Sequence, residues 1–302
     1  MKREVAMTRR IINFGSLNID HVYSVDHFVR PGETLASTTY AKHCGGKGFN
    51  QSIALAHAGA HVFHAGKVGE DGIFLRKRLE LAGVDASRVK VVDVPTGHAV
   101  IQVTPEGENS IILHGGANRM ITNYDAKNAL RGFSAGDLVL LQNEISSVPD
   151  IMEMASAKEL GIVFNPSPIN ATIKDYPLHL VNLLILNEVE GADLTGATTP
   201  ETILLSLQTK YPKASIVLTL GCKGAVYASG TLKASAPALK VAAVDTTAAG
   251  DTFTGFFIAE WSHGVEVEQA LMTACRAAAI CVSRPGAADS IPTRAELLEK
   301  SL

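Results

Sequence analysis

Four short stretches of this chain combine reactive side chains with small residues, each at the end of an apolar run. The first is Asp245-Thr246-Thr247-Ala248-Ala249-Gly250-Asp251, which opens an amphipathic stretch. Small side chains let the backbone turn tightly and bare several N–H groups. A helix N-terminus adds partial positive charge, so the loop predicts an anion site. Asp251 falls in the first turn, where a carboxylate could take the proton of a hydroxyl that attacks a phosphoryl group. The alternative is a first-turn acid that only answers the helix dipole. The second stretch is Cys44-Gly45-Gly46-Lys47-Gly48-Phe49-Asn50-Gln51. Its glycines permit close backbone approach to a ligand, and Lys47 and Asn50 offer donors to hydroxyls or phosphates. A plain loop-to-helix turn is the alternative. It is not a P-loop, because Gly48 stands where Ser or Thr must follow the lysine. Nor does Gly15-Ser16-Leu17-Asn18 carry the glycines of a dinucleotide fingerprint.

The third stretch, Asn187-Glu188-Val189-Glu190, sets an amide and a carboxylate three residues apart on one face of a turn. Such a pair could manage Mg²⁺ and its waters, although Asn187 could equally cap a helix. The fourth, Thr219-Leu220-Gly221-Cys222-Lys223-Gly224, could wrap a nucleotide or simply turn between strands.

The elements that must position these loops read as strands alternating with helices. Short apolar runs predict strands over 10–14, 62–67, 89–94, 138–142, 162–165, 183–186, 216–220 and 225–228. Most are continuous rather than alternating, as in strands buried on both faces. Helix patterns fall over 47–58, 71–81, 124–131, 148–160, 200–211, 250–262 and 267–282, several of them closed by glycines such as Gly59, Gly83 and Gly161. The rhythm predicts an α/β fold: a mainly parallel central sheet with helices on both faces. Two regions break it. Alternating segments over 19–25 and 35–43 flank Arg30-Pro31-Gly32-Glu33, and 97–114 reads as a hairpin with strands over 99–104 and 110–114. Both resemble half-exposed antiparallel strands, inserted near the carboxyl ends of core strands where α/β proteins bind ligands. A small lid sheet is the expectation; an extension of the main sheet edge is the alternative.

At 302 residues, with 46% apolar and 19% charged residues, the chain is neither disordered nor fibrous. Mean hydropathy is +0.16, and the longest uncharged runs fall far short of the ~18 residues of a membrane span. The net charge of −3 provides no basic field, so neither nucleic acid nor membrane is an expected partner. Four cysteines without CxxC spacing, Cys44, Cys222, Cys275 and Cys281, suggest a reduced, cytoplasmic protein. Met1 to Arg10 lacks the apolar stretch of a secretory signal, and Arg9-Arg10 runs directly into the first strand. There is no repeat or linker, and residues 1–302 read as one domain.

Taken together, the motifs resemble the ribokinase, or phosphofructokinase-B, family of sugar kinases, over nearly the whole chain. Gly15-Ser16-Leu17-Asn18-Ile19-Asp20 looks like the family's opening, Gly45 to Gln51 like its first signature and Asp245 to Phe253 like its second. The resemblance implies a ribokinase-like three-layer α/β/α domain with a small antiparallel β lid. It further implies ATP-dependent phosphorylation of D-ribose at O5. In that reading Asp251 is the general base, and the N–H groups of Ala248, Ala249 and Gly250 form an anion hole. Asn18, Asp20, Gly46, Lys47, Asn50 and Glu144 grip the sugar. ATP lies against Asn187, Thr219, Gly221, Cys222, Lys223, Gly224, Gly250 and Cys275. Glu190 handles Mg²⁺ indirectly, and a K⁺ activator is held by Asp245, Thr247, Cys281, Arg284, Gly286 and Ser290, mostly through carbonyls. A homodimer formed through an apolar lid face of Ile101, Val103, Ile111 and Leu113 is also implied. Two residues depart from the family pattern: Phe49, where a small residue is common and a large one could crowd the sugar, and Cys275, where histidine is frequent near the adenine. A kinase of deoxyribose, a ketose or an adenosine-like nucleoside stays open, as does a non-catalytic sensor. A nicotinamide dehydrogenase is disfavoured by the missing fingerprint.

Overall fold

The computed structural model describes residues 9–299, so the reading of the leader over Met1–Thr8 lies outside the described residues. In chain order the strands are β1 (Arg10–Phe14), β2 (Asn18–Ser24), β3 (Thr39–Gly45), β4 (His61–Val68), β5 (Asp85–Val91), β6 (Gly97–Val103), β7 (Asn109–His114), β8 (Leu138–Gln142), β9 (Gly161–Asn165), β10 (Leu183–Asn187), β11 (Ser215–Thr219), β12 (Ala225–Ser229) and β13 (Leu232–Ala236). The helices are α1 (Lys47–His57), α2 (Ile73–Leu81), α3 (Asn123–Ala129), α4 (Val148–Ala157), α5 (Glu188–Thr195), α6 (Pro200–Lys210), α7 (Ala249–Ser262), α8 (Val267–Val282) and α9 (Arg294–Glu299).

The main sheet has nine strands in the order β13-β12-β11-β10-β9-β8-β1-β4-β5. All its pairings are parallel except β11–β12 and β12–β13. The continuous apolar runs have a direct cause. Ile11, Leu138, Leu140 and Ile185 pack into one core with residues of α1, α2, α7 and α8. Their neighbours Ile12, Val139, Leu141 and Leu186 pack into a second core with residues of α3, α4 and α6. Side chains alternate across a strand, so a strand between two helical layers is apolar on both faces along most of its length. The result is the expected three-layer α/β/α arrangement.

The interrupting segments form a separate four-stranded sheet, β3-β2-β6-β7, rather than an extension of the main one. Its outer pairs are antiparallel as expected; its central pair, β2–β6, runs parallel. Sequence reading missed α5, β13 and α9 and set β5 about four residues late. Asp85, Ser87 and Arg88 make the start of β5 look like a loop, because an edge strand can leave such residues in water.

Candidate active site

The site lies at the carboxyl ends of the central strands. The cap of α7, Ala248, is left-handed (φ 61°) and supplies no side-chain cap. The first N–H groups of a helix have no intrahelical acceptor; here that of Ala249 leans on the Thr246 carbonyl at 3.3 Å. A Cβ added to Gly250 would meet nothing within 4 Å, so the space before the helix end is open. Asp251 is buried beside it. Its Oδ2 accepts from Asn50 Nδ2 at 2.9 Å and its Oδ1 from Gln51 Nε2 at 2.8 Å.

Those donors stand on α1, and glycine decides how near α1 can come. A Cβ on Gly255 of α7 would lie 2.4 Å from the Ala54 Cβ, and one on Gly48 would lie 2.4 Å from Gly15. Both contacts are possible only without side chains, and they bring the start of α1 against α7 and the loop after β1. Gly46 turns the chain into α1 with φ 94°. Glu144, just after β8, accepts from the Ser16 hydroxyl and, at 3.0 Å, from the Lys47 backbone N–H. On the lid, Asn18 Oδ1 accepts from Asn118 Nδ2 at 2.7 Å. Asp20 sits against Gly45, where a Cβ would fall 2.0 Å from its carboxylate.

The carboxylates interact strongly. Burial, helped by the charge of Glu144, pushes Asp20 up to about 6. Burial also raises Glu144, against the opposing pull of Lys47 and Ser16. For Lys47, burial works to lower the ammonium pKa, but Asp251, Glu144 and Glu190 outweigh it and hold it above its ordinary value.

Two cavities meet at Thr219, Thr246 and Gly250. The larger, about 470 Å³, is lined mainly by apolar groups, among them Leu239, Val241, Phe253 and Ala279, together with Gly221, Cys222, Gly224 and Cys275. The smaller, about 240 Å³, presents Lys47, Asn165, Asn187, Glu190 and Asp251. This division suits a flat apolar ring in one compartment and charged groups in the other. Lys223 stands on the exposed loop beside the larger cavity. Burial pushes the Cys275 thiol up to about 11, so it stays protonated. Asn187 and Glu190 serve both readings of their motif. They form a reciprocal capping box at α5, through Asn187 Oδ1 and Glu190 Oε2. That leaves the Asn187 amide nitrogen and the other Glu190 oxygen for the cavity they line.

The expected cation residues also converge. Asp245 accepts from the Thr247 N–H at 2.8 Å and the Gly286 N–H at 3.0 Å, joining the loop before α7 to the loop after α8. Burial would raise its pKa, but these bonds outweigh it and hold the carboxyl below its ordinary range. Cys281 pairs with the Ser290 hydroxyl through sulfur at 3.0 Å, and its carbonyl accepts the Arg284 N–H at 3.1 Å.

Of the residues expected at the site, Lys47, Asn187, Thr219, Gly221, Cys222, Gly224, Glu190, Gly250, Asp251 and Cys275 line the two cavities, and Asn50 reaches them through Asp251. Phe49 does not crowd the site: the ring is fully buried in the core on the α1 side. Asn13, Gln51, Asn118, Gln142 and Asn165 were given no role by sequence. Three of them carried a signal, because Asn13, Gln142 and Asn165 are lone amides at or near the carboxyl end of an otherwise apolar strand.

A carboxylate at an open helix N-terminus, between an apolar and a charged compartment, has the parts to take a hydroxyl proton beside a phosphoryl group. The chain belongs to the pfkB family of carbohydrate kinases: the family model "pfkB family carbohydrate kinase" matches residues 8–294. It is 36% identical over 296 residues to the ribokinase of Bacillus subtilis, covering 96% of this chain and 99% of that one. The ribokinase of Cryptococcus neoformans, solved with ADP, superposes with a TM-score of 0.84 at 36% identity, covering 96% and 99% of the two chains. That of Arabidopsis thaliana, solved with ribose and ATP, gives a TM-score of 0.87 at 31% identity, covering 98% and 100%.

Proposed function

We propose that this chain transfers the γ-phosphoryl group of ATP to O5 of D-ribose, giving ribose 5-phosphate and ADP. The observation that carries the reading is the Asp251 carboxylate at the open N-terminus of α7, where the two cavities meet. The names of the similar proteins point to the same sugar.

In this mechanism Asp20 and Glu144 accept from sugar hydroxyls, while Asn18, Lys47 and Asn50 donate to sugar oxygens and the Gly46 backbone lines the sugar. Asn50 has a further capacity: its Nδ2 is given to Asp251, and its buried Oδ1 has no protein partner. A hydroxyl donor would satisfy it. Asp251 removes the O5 proton as O5 attacks, and the N–H groups of Ala248, Ala249 and Gly250 stabilise the charge on the transferring group. Thr219 and the loop Gly221–Lys223 with Gly224 hold the nucleotide, its ring beside Cys275. The lid closes over the sugar and excludes water, which limits ATP hydrolysis.

The Glu190 oxygen left free by the capping box faces the charged cavity and fits Mg²⁺ or its waters, and the ion when bound would neutralise phosphate charge. Among the described residues no three His, Cys, Asp or Glu side chains cluster as a metal site. A K⁺ ion would accordingly be held by carbonyl oxygens around the Asp245 carboxylate, within the set Thr247, Cys281, Arg284, Gly286 and Ser290. Among the described residues no helix is long and apolar enough to cross a membrane; we read the protein as cytoplasmic and single-domain. We also read it as a homodimer through the lid, because Ile111 and Leu113 are 55% and 49% exposed on the face shared with Asp20.

The test is ADP release with ATP, Mg²⁺ and K⁺, ribose being the only acceptor. Ribose-dependent release is expected. Release only with deoxyribose, a ketose or a nucleoside moves the acceptor, and ribose binding without turnover makes the chain a sensor.

A further inference from the structure

Beneath Asp251 a string of buried neutral side chains crosses four strands, β9, β8, β1 and β4. Gln51 Nε2 donates to Asp251 Oδ1 at 2.8 Å and to Asn165 Oδ1 at 3.1 Å. Gln142 Nε2 donates to Gln51 Oε1 at 2.6 Å and to Asn13 Oδ1 at 3.0 Å. Asn13 Nδ2 donates to the Gly48 carbonyl and to Ser52 Oγ, each at 2.8 Å. Ser52 Oγ meets His64 Nδ1 at 2.8 Å, and His64 Nε2 lies 3.2 Å from the Gly15 carbonyl. Asn13, Gln51, Ser52 and His64 are fully buried, and Gln142 nearly so.

The direction of every bond follows from the two ends. A carboxylate and a backbone carbonyl can only accept. Gln51 must turn its nitrogen to Asp251, so its oxygen faces Gln142. At the far end His64 must donate from Nε2 to Gly15, so Nδ1 takes the serine proton and Ser52 accepts from Asn13. A string that ends on acceptors at both sides needs one member that donates both ways. Gln142 is that member: both its N–H groups are used, in opposite directions. Its oxygen is a buried side-chain atom without a partner. That orphan is otherwise unexplained.

We propose that Gln51 is a positioning residue for the base, and that Gln142, through its two opposed donations, locks the Gln51 amide with nitrogen toward Asp251. The proposal rests on the reading of Asp251 as general base. Asn165 Oδ1 holds the same Gln51 nitrogen at 3.1 Å, its own Nδ2 being given to the Ile185 carbonyl, so without Gln142 the Gln51 amide keeps one of its two neutral restraints and turns more freely. Whenever the amide turns, Asp251 is held by Asn50 alone.

The test compares Gln51→Met, Gln142→Met and the double variant, with kcat normalised to ADP-binding sites so that only folded enzyme counts. Gln51→Met is expected to lower kcat about 10- to 100-fold, the scale of a misplaced catalytic group, with KM for sugar and ATP unchanged. Gln142→Met, which touches neither Asp251 nor substrate, lowers kcat less. The double variant is no slower than Gln51→Met, because Gln142 acts only through Gln51. Wild-type kcat in Gln51→Met, or losses that multiply in the double variant, would overturn the proposal. Should Gln51→Met yield no folded protein, Gln142→Met alone decides: normal kcat in it refutes the lock. Asp251→Asn separates the two claims. If it alone abolishes turnover, the base stands and the positioning fails; if it keeps turnover, the base reading itself is lost.

Discussion

Asp20→Asn should strengthen the fold and weaken sugar capture at once, and the size of both effects follows from its surroundings. The carboxyl ionises at about 6 rather than 3.8, chiefly because it is buried and secondarily because Glu144 faces it. Its cross-strand partner His43 is exposed. A folded-state pKa above the unfolded value means that the native state binds the proton more tightly. The associated stability is complete below about pH 4 and lost as pH rises through 6, so at neutral pH the ionised group is a burden. A shift of about two units corresponds to about 3 kcal/mol, an upper figure for a group that still touches solvent. Asparagine carries no charge and removes that burden, so the variant should melt higher at pH 7 and about equally at pH 4. Sugar capture moves the other way. About nine-tenths of Asp20 is ionised at pH 7 and about one-tenth at pH 5. Since kcat/KM reports the free enzyme, its value for ribose at saturating ATP should fall about tenfold over that interval. In Asp20→Asn it should be low and without the limb near 6. Calorimetry at both pH values and initial rates from pH 5 to 8 make the comparison. If the limb persists in the variant, another group titrates there and the assignment to Asp20 is wrong.

Three further outcomes are expected. Asp251→Asn should keep sugar and nucleotide binding by titration calorimetry while kcat drops at least ~10²-fold; a near-normal kcat removes the residue from its role. Gly250→Ala has room for its methyl group and lies in a helix first turn, so stability should hold or rise by up to ~1 kcal/mol. The methyl group would occupy the space before the helix end, so kcat/KM for ATP should nevertheless fall; unchanged kinetics would mean that phosphate does not approach there. Phe49→Ala empties a fully buried site and should cost about 3–5 kcal/mol in denaturant unfolding. A sugar KM effect without that loss would place the ring in the pocket after all.

Much of this was legible before any coordinates. The apolar runs are strands because two helical layers leave them no solvent face, and that condition is written residue by residue in Leu138-Val139-Leu140-Leu141. Asp251 and Gly250 stood out because small residues at a helix start bare N–H groups beside a carboxylate, but a plain first-turn acid reads the same locally, and only the combination with the other motifs singled them out. The Asn187–Glu190 pair was noticed for its chemistry while the helix it caps was missed: α5 is short and only weakly two-sided, so periodicity was silent. β13 escaped because Lys233, Ala234 and Ser235 at the sheet edge have no pattern to display.

Sequence by itself determined the alternation of strand and helix, the motifs and the family, since these depend on local chemistry and on order along the chain. Tertiary structure alone decided which amide meets which oxygen. Gln51 and Asp251 are 200 residues apart, and Gln142 and Gln51 are 91 apart. The first pairing depends on how closely α1 can approach α7, which Gly255 and Ala54 set by having almost no side chain between them. No window on the sequence contains both partners. The direction of each bond then follows from the acceptors at the two ends of the string, a condition that exists only once the chain has folded around them.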